Sequence, residues 1–239
     1  MKLVFSDISM QIELVQGRES VPGIPDAVIV IDVIRAFTVA HLAFLQDIEK
    51  IHLVAEPGEA HALREENPGL LLMGEVNGYA ISGFDYDNSP AKIAGTDLVG
   101  RTLVQRTSNG VQAVLNNLGP TWLMATGLIG AHAVAKLVRR LVDTGEVETV
   151  RLIASHPDSD EDVACGEYII DQIHGTNKIT LNHVRERIRR STSAQKFYDR
   201  RQPQFEIEQL DHCLRSEDHG FVMSVSIDQN RPTLKKQSI

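Results

Sequence analysis

Between residues 27 and 155 the chain alternates short unbroken apolar runs with segments whose apolar side chains recur every three or four positions. Residues 27–32, AVIVID, are a continuous apolar run closed by an acid, the pattern of a strand buried on both faces. Residues 36–48 follow with Ala36, Val39, Ala40, Ala43 and Phe44 at helical spacing. KIHLVA (50–55) predicts the next strand. PGEAHALREEN (57–67) predicts a helix that Pro57 opens and Pro68-Gly69 closes. LLLMGE (70–75), TLVQRT (102–107), TWLMATG (121–127) and TVRLIAS (149–155) read as further strands, and 108–118, 129–142 and 163–173 as helices. Residues 179–215 read as mostly helical, 219–227 as a last strand, and 229–239 as a polar, frayed tail. Strands alternating with helices predict an α/β fold: a mixed, mostly parallel sheet flanked by helices, with a helical C-terminal portion, as one domain over residues 1–228.

Composition changes this picture little. Hydrophobic residues make up 42% and charged residues 23%, an ordinary globular balance. No apolar run reaches the ~20 residues of a membrane span. The opening MKLVFSDISM lacks the sustained apolar core and cleavage site of a secretory signal. Two cysteines, Cys165 and Cys213, make no disulfide framework, so a reducing, cytoplasmic setting is expected. The net charge of −8 argues against a nucleic-acid partner. The dense basic run, Arg185, Arg187, Arg189 and Arg190 on to Lys196, Arg200 and Arg201, has the spacing of a solvated helix face. His41 and His61 lie on helix patterns and read as packing or surface residues. Oligomeric state is left open.

In a parallel sheet ligands bind beyond the carboxyl ends of the strands, and four of these ends carry polar groups. They are Asp32 to Arg35, Gly74-Glu75, Arg106-Thr107-Ser108-Asn109-Gly110, and the acidic loop Asp158 to Asp162. Each has a plain alternative: Asp32 and Ser108 or Asn109 are good helix N-caps, and an acidic loop is usually solvated. Together they point to metal-assisted phosphate chemistry. Carboxylates suit Mg²⁺, while an arginine and backbone amides at a helix start suit phosphoryl oxygens. No zinc spacing, Walker loop or dinucleotide fingerprint is present.

The sequence resembles the 2-phosphosulfolactate phosphatase family over about residues 26–175. The resemblance is carried by Asp32-Val33-Ile34-Arg35-Ala36 with Thr38, Gly74-Glu75, Gly83-Phe84-Asp85 with Asn88-Ser89-Pro90, Thr107-Ser108-Asn109-Gly110, and Glu161-Asp162 with Cys165-Gly166. It implies an α/β, Mg²⁺-dependent phosphatase converting 2-phospho-3-sulfolactate to sulfolactate on the way to coenzyme M, with a small anionic phosphoester as partner and no membrane. It implies that GFDYDNSP walls the active site, with Asp85 and Asn88 facing metal or substrate. The expected assignments are Asp32, Glu75 and Asp162 as metal contacts, Asp32, Asp85 and Arg35 as catalytic, and Asn88, Ser89, Arg106, Thr107, Ser108, Asn109 and Gly110 as substrate-binding. The resemblance also implies basic residues after Gly-Glu, where this chain has Val76, Asn77, Tyr79 and Ala80, and a glycine where it has Asp87.

Three other readings stand beside this one. An aspartate-nucleophile phosphatase would need a second acid where Ile34 stands. A cysteine hydrolase of the isochorismatase type would use Cys165. A family member without turnover would bind a small anion only.

Overall fold

The computed structural model describes the backbone of residues 2–7 and the whole chain from Met10 to Ile239; of the opening MKLVFSDISM, residues 1, 8 and 9 lie outside it. The chain begins with an antiparallel pair, β1 (Lys2–Asp7) and β2 (Met10–Gln16). The sequence reading missed both. In β2 the signal is a period of two, with Met10, Ile12 and Leu14 buried and the residues between them more open.

The middle of the chain follows the expected alternation: β3 (Ala27–Ile31), α1 (Ala36–Leu45), β4 (Lys50–Leu53), α2 (Pro57–Glu66), β5 (Leu71–Val76), β6 (Tyr79–Ala80), α3 (Pro90–Ala94), β7 (Thr102–Arg106), α4 (Gly110–Leu115), β8 (Trp122–Thr126), α5 (Ala131–Asp143), β9 (Thr149–Ala154) and α6 (Glu161–His174). Three short helices come next: α7 (Leu181–Arg190), α8 (Thr192–Gln195) and α9 (Ile207–Cys213). The last two strands are β10 (Phe221–Asp228) and β11 (Arg231–Ser238).

The sheet is mixed and mostly parallel, in the order β1-β2-β9-β3-β8-β10-β11-β4-β7-β5-β6. It contains two parallel blocks, β2-β9-β3-β8 and β4-β7-β5, joined by the antiparallel hairpin β10–β11. The hairpin meets β8 near its open end (Met223↔Ala125) and β4 nearer its turn (Thr233↔His52). Three antiparallel steps separate β8 from β4, so the second block runs against the first along the ladder. A hairpin held at opposite ends by its two neighbours turns a corner, and the two blocks face each other across it.

α1 fills the space between the blocks. Every residue of AFTVAHLAFL except Leu45 is buried, as expected for a helix apolar all round. It packs with Val28 and Val30 of β3, Ile51 and Leu53 of β4, Leu103 of β7 and Leu234 of β11 in one core. The opposite face of the first block is covered by α5 and α6, and α7 packs on α6. α5 shows why: Ala131, Val134, Leu137, Val138 and Leu141 are buried along one stripe, and Lys136, Arg139 and Arg140 face outward. No helix among the described residues is long and apolar enough to cross a membrane.

Two expectations are corrected here. Residues 229–239 are not a frayed tail, because β11 pairs with β10 along its whole length and buries Thr233 and Leu234. Its polar side chains hide a strand whose stability comes from backbone pairing on both edges. The basic run is only partly a solvated face. Arg189 and Arg190 are exposed, but Arg187 clamps Asp160 (Nη2 to Oδ1, 2.6 Å) and Glu167, and Arg185 donates to the Leu214 carbonyl.

His41 and His61 pack as expected, His61 against the edge of Phe84. The His41 ring on α1 is buried and stacks on Phe221 (centroids 4.4 Å apart), with Nε2 3.1 Å from His219 Nδ1. Burial pushes its pKa down to about 3, with repulsion from His219, Lys236 and Arg215 adding and Glu217 opposing. A histidine lowered in the folded state contributes stability above its unfolded value near 6.5 and loses it as pH falls toward 3, at about 1.4 kcal/mol per pH unit. His41→Phe keeps the stack and cannot ionise. Urea unfolding between pH 6 and 4 should show a shallower loss of stability in H41F than in the wild type; equal slopes would mean that His41 is not held neutral.

Candidate active site

Asp32 follows β3 directly and does two things at once. Its Oδ1 accepts from the Ala36 amide (2.9 Å), capping α1, and its Oδ2 accepts from the Gly110 amide (2.9 Å) at the start of α4. Gly110 is required at that contact. A Cβ there would lie 2.7 Å from Asp32 Oδ2 and 2.9 Å from Asp32 Cβ. Glu75 is set by a similar fit. Gly74 precedes it with φ of 155°, and a Cβ there would stand 2.0 Å from the Arg106 carbonyl oxygen. The Glu75 carboxylate accepts from the Ser108 amide (2.6 Å), the Gly78 amide (2.5 Å) and the Ser108 hydroxyl (3.2 Å).

Behind Asp32, the Ser155 hydroxyl lies 3.4 Å from Asp32 Oδ2 and 3.1 Å from Asp162 Oδ2. Asp162, in the first turn of α6, also accepts from the Val33 and His156 amides. Burial, reinforced by the charges of Glu75 and Glu161, raises the pKa of Asp32 to about 6 against the pull of its two amides. Burial, then Glu161 and Asp32, raises Asp162 well above the carboxylate range.

These groups surround a cavity of about 330 Å³. Of the expected residues, Asp32, Arg35, Glu75, Asn88, Ser108 and Asn109 line it. The others do not, each for a visible reason. Asp85 accepts from the Leu72 amide (2.7 Å) and Arg64 (2.9 Å), tying its loop to β5 and α2. Ser89 is buried at the start of α3. Arg106 donates to the Ala55 and Glu75 carbonyls. The Thr107 hydroxyl accepts from the Val111 amide. Gly110 and Asp162 stand behind Asp32. Of the GFDYDNSP segment, Asn88 lines the cavity and Asp85 does not.

The turn at Ser108 to Gly110 needs a further correction. Its Ser108 and Gly110 amides are taken by Glu75 and Asp32, so the anions seated there are the protein's own carboxylates. The expected metal set is also revised. No group of three or more His, Cys, Asp or Glu among the described residues forms a metal cage. Asp32 and Glu75 face the cavity, and Asp162 is second in line behind Ser155.

Sequence reasoning missed Arg18, Asn77, Gly78, His156, Pro157, Ser193 and Lys196, all of which line the cavity. Asn77-Gly78 carried a readable sign, since Asn-Gly is the strongest short hairpin signal and it does connect β5 to β6. Arg18 donates to the Ser108 carbonyl (2.5 Å) and to Asn109 Oδ1 (3.3 Å). Arg35 is buried. It donates to Gln209 Oε1 (2.5 Å) and the Gly78 carbonyl (3.1 Å), and its guanidinium lies over Phe197 and Phe205. Two lining groups, Asn88 Oδ1 and Ser193 Oγ, are buried without a hydrogen-bond partner. Buried polar atoms rarely stay so, and both residues line the cavity.

Cys165 is fully buried in α6, where burial and then Asp162 push its thiol well up. That is the opposite of an activated thiolate, and it removes the cysteine-hydrolase reading.

The family model for 2-phosphosulpholactate phosphatase matches residues 14–237. The chain belongs to the 2-phosphosulfolactate phosphatase family. A relative in Bacillus subtilis (strain 168), "Probable 2-phosphosulfolactate phosphatase", is 43% identical over 227 residues, 95% of this chain and 99% of that protein. One of the same description in Carboxydothermus hydrogenoformans is 33% identical over 177 residues, 72% of this chain and 71% of the relative. The 2-phosphosulfolactate phosphatase match spans every cavity-lining residue from Arg18 to Lys196 and runs through nearly all of β11, consistent with that strand being part of the fold.

Proposed function

We propose that the protein is a Mg²⁺-dependent phosphatase that hydrolyses 2-phospho-3-sulfolactate to 3-sulfolactate and phosphate. The observation that carries this reading is a cavity in which two buried carboxylates, Asp32 and Glu75, face the cations Arg18, Arg35 and Lys196, in a chain of this family. The residues fit Mg²⁺ held mostly by water and substrate, which needs only one or two protein ligands. The unpartnered Asn88 Oδ1 and the cavity-facing Asp32 would hold the ion, and the raised pKa of Asp32 marks negative charge that a cation would relieve. When bound, the ion would neutralise charge on the phosphoryl oxygens.

Arg18 and the Asn109 side chain, joined at the cavity wall, would orient the phosphate. Glu75, the second carboxylate facing the cavity, would take a proton from the attacking water as the bridging P–O bond breaks, and return it to the departing sulfolactate oxygen. The two cysteines are free and buried, which suits a cytoplasmic setting.

The test is phosphate release from 2-phospho-3-sulfolactate with Mg²⁺ and with a chelator. Turnover that appears with Mg²⁺ and vanishes on chelation is expected. Release no faster than in buffer with Mg²⁺ would overturn the reading and leave an anion-binding protein.

A further inference from the structure

Lys196 follows α8, in the C-terminal helical portion, and is half-buried at the cavity wall. Its ammonium lies 4.8 Å from the centroid of Phe205 and 5.5 Å from that of Phe197. The Arg35 guanidinium lies over the same two rings, at 5.2 and 5.8 Å. Two cations thus share one aromatic pair, and neither is paired with a carboxylate. Arg35 donates to neutral oxygens of Gln209 and Gly78, and Lys196 has no hydrogen-bond or ion-pair partner among the described residues. Burial, then repulsion from Arg35, lowers the Lys196 pKa against the opposing pull of the Glu75, Asp32 and Glu161 charges.

Beside it, Ser193 is 92% buried and lines the same cavity, and its hydroxyl has no partner. Arg18 and Asn109 come from other parts of the fold, the loop after β2 and the turn before α4, and are bound to each other. The cavity therefore offers two cationic stations, and a phosphate monoester alone would occupy only one.

We propose that Lys196 and Ser193 form a specificity subsite for the acid group of the substrate that does not react, so that the enzyme selects phosphoesters carrying a second, fixed anion. This rests on the phosphatase reading above. The shared chemistry is an oxyanion accepting from an ammonium and a hydroxyl; a sulfonate and a carboxylate both supply it. Gly78 borders the subsite: a Cβ there would stand 3.4 Å from Phe205 and 3.6 Å from Lys196 Nζ, in ordinary contact.

The test compares kcat/KM of the wild type, Lys196→Met and Lys196→Arg on 2-phospho-3-sulfolactate and on isopropyl phosphate, which has no second acid. The ratio of the two should fall by roughly 10- to 100-fold in K196M, through KM more than kcat, and be largely kept in K196R. A wild-type ratio in K196M would overturn the proposal. 2-Phospholactate and 2-phosphoethanesulfonate, each with one acid, show which group is read: the ester whose preference collapses with K196M carries it. Calorimetric titration with 3-sulfolactate, which has no phosphate, separates this idea from the hydrolytic reading. Binding should weaken roughly 10-fold in K196M and roughly fivefold in Ser193→Ala; affinities equal to wild type in both variants would overturn the subsite even if phosphate release is observed. Weakened binding without any phosphate release would support the subsite and sink the phosphatase.

Discussion

Asp32→Asn is expected to lower kcat for phosphate release by about 10³-fold while leaving the protein folded. The loss follows from position, because Asp32 is the carboxylate placed both to face the cavity and to fix the α4 turn. Survival of the fold follows from two opposing terms. An aspartate raised in the folded state from its usual 3.8 to about 6 withdraws stability as pH climbs through that window, about 3 kcal/mol once fully ionised. The amide removes that cost. It also turns an NH₂ toward either the Ala36 or the Gly110 N–H, donor against donor, at about 1–3 kcal/mol. The terms nearly cancel, and Tm at pH 7 should move by no more than ~5 °C. Kinetics and thermal melting on the same preparation decide it: a folded D32N with wild-type kcat removes Asp32 from the mechanism.

A chain ending at Asp228 is expected not to fold at all. Losing β11 removes eight paired positions from β10, both contacts with β4, and the bond between the Thr233 hydroxyl and the His52 ring. It also removes Leu234 and so uncovers the core around α1. Each stranded backbone group costs about 1–3 kcal/mol, and domains hold only about 5–15 kcal/mol in total. Circular dichroism of residues 1–228 should show no cooperative melt. A transition within ~5 °C of the full chain would mean that the two blocks hold together without the hairpin.

What was legible in the sequence divides along physical lines. Strands buried on both faces, such as β3, and helices with one apolar stripe, such as α5, carry their signal in a few adjacent residues and were read. The rule that ligands sit beyond strand ends found Asp32, Glu75, Ser108 and Asn109. It could not foresee that two of that turn's amides are taken by the protein's own carboxylates, because this requires knowing that the ends of β3 and β5 both meet the turn after β7. Within GFDYDNSP, Asp85 and Asn88 looked equally apt, and long-range contacts, the bridge between Met73 and Tyr86 and the bonds from Leu72 and Arg64 to Asp85, hold Asp85 away from the cavity. Lys196 looked like a surface lysine because its aromatic neighbours include Phe205, nine residues on. β11 escaped notice because a strand paired on both edges needs few apolar side chains of its own.

The place of the β10–β11 hairpin also has a bearing on how the enzyme comes into being. A ribosome delivers the chain from the amino end, so both parallel blocks have been synthesised before the element that seams them exists. The pocket draws on both blocks, so its two walls can be set against each other only once β11 has been made.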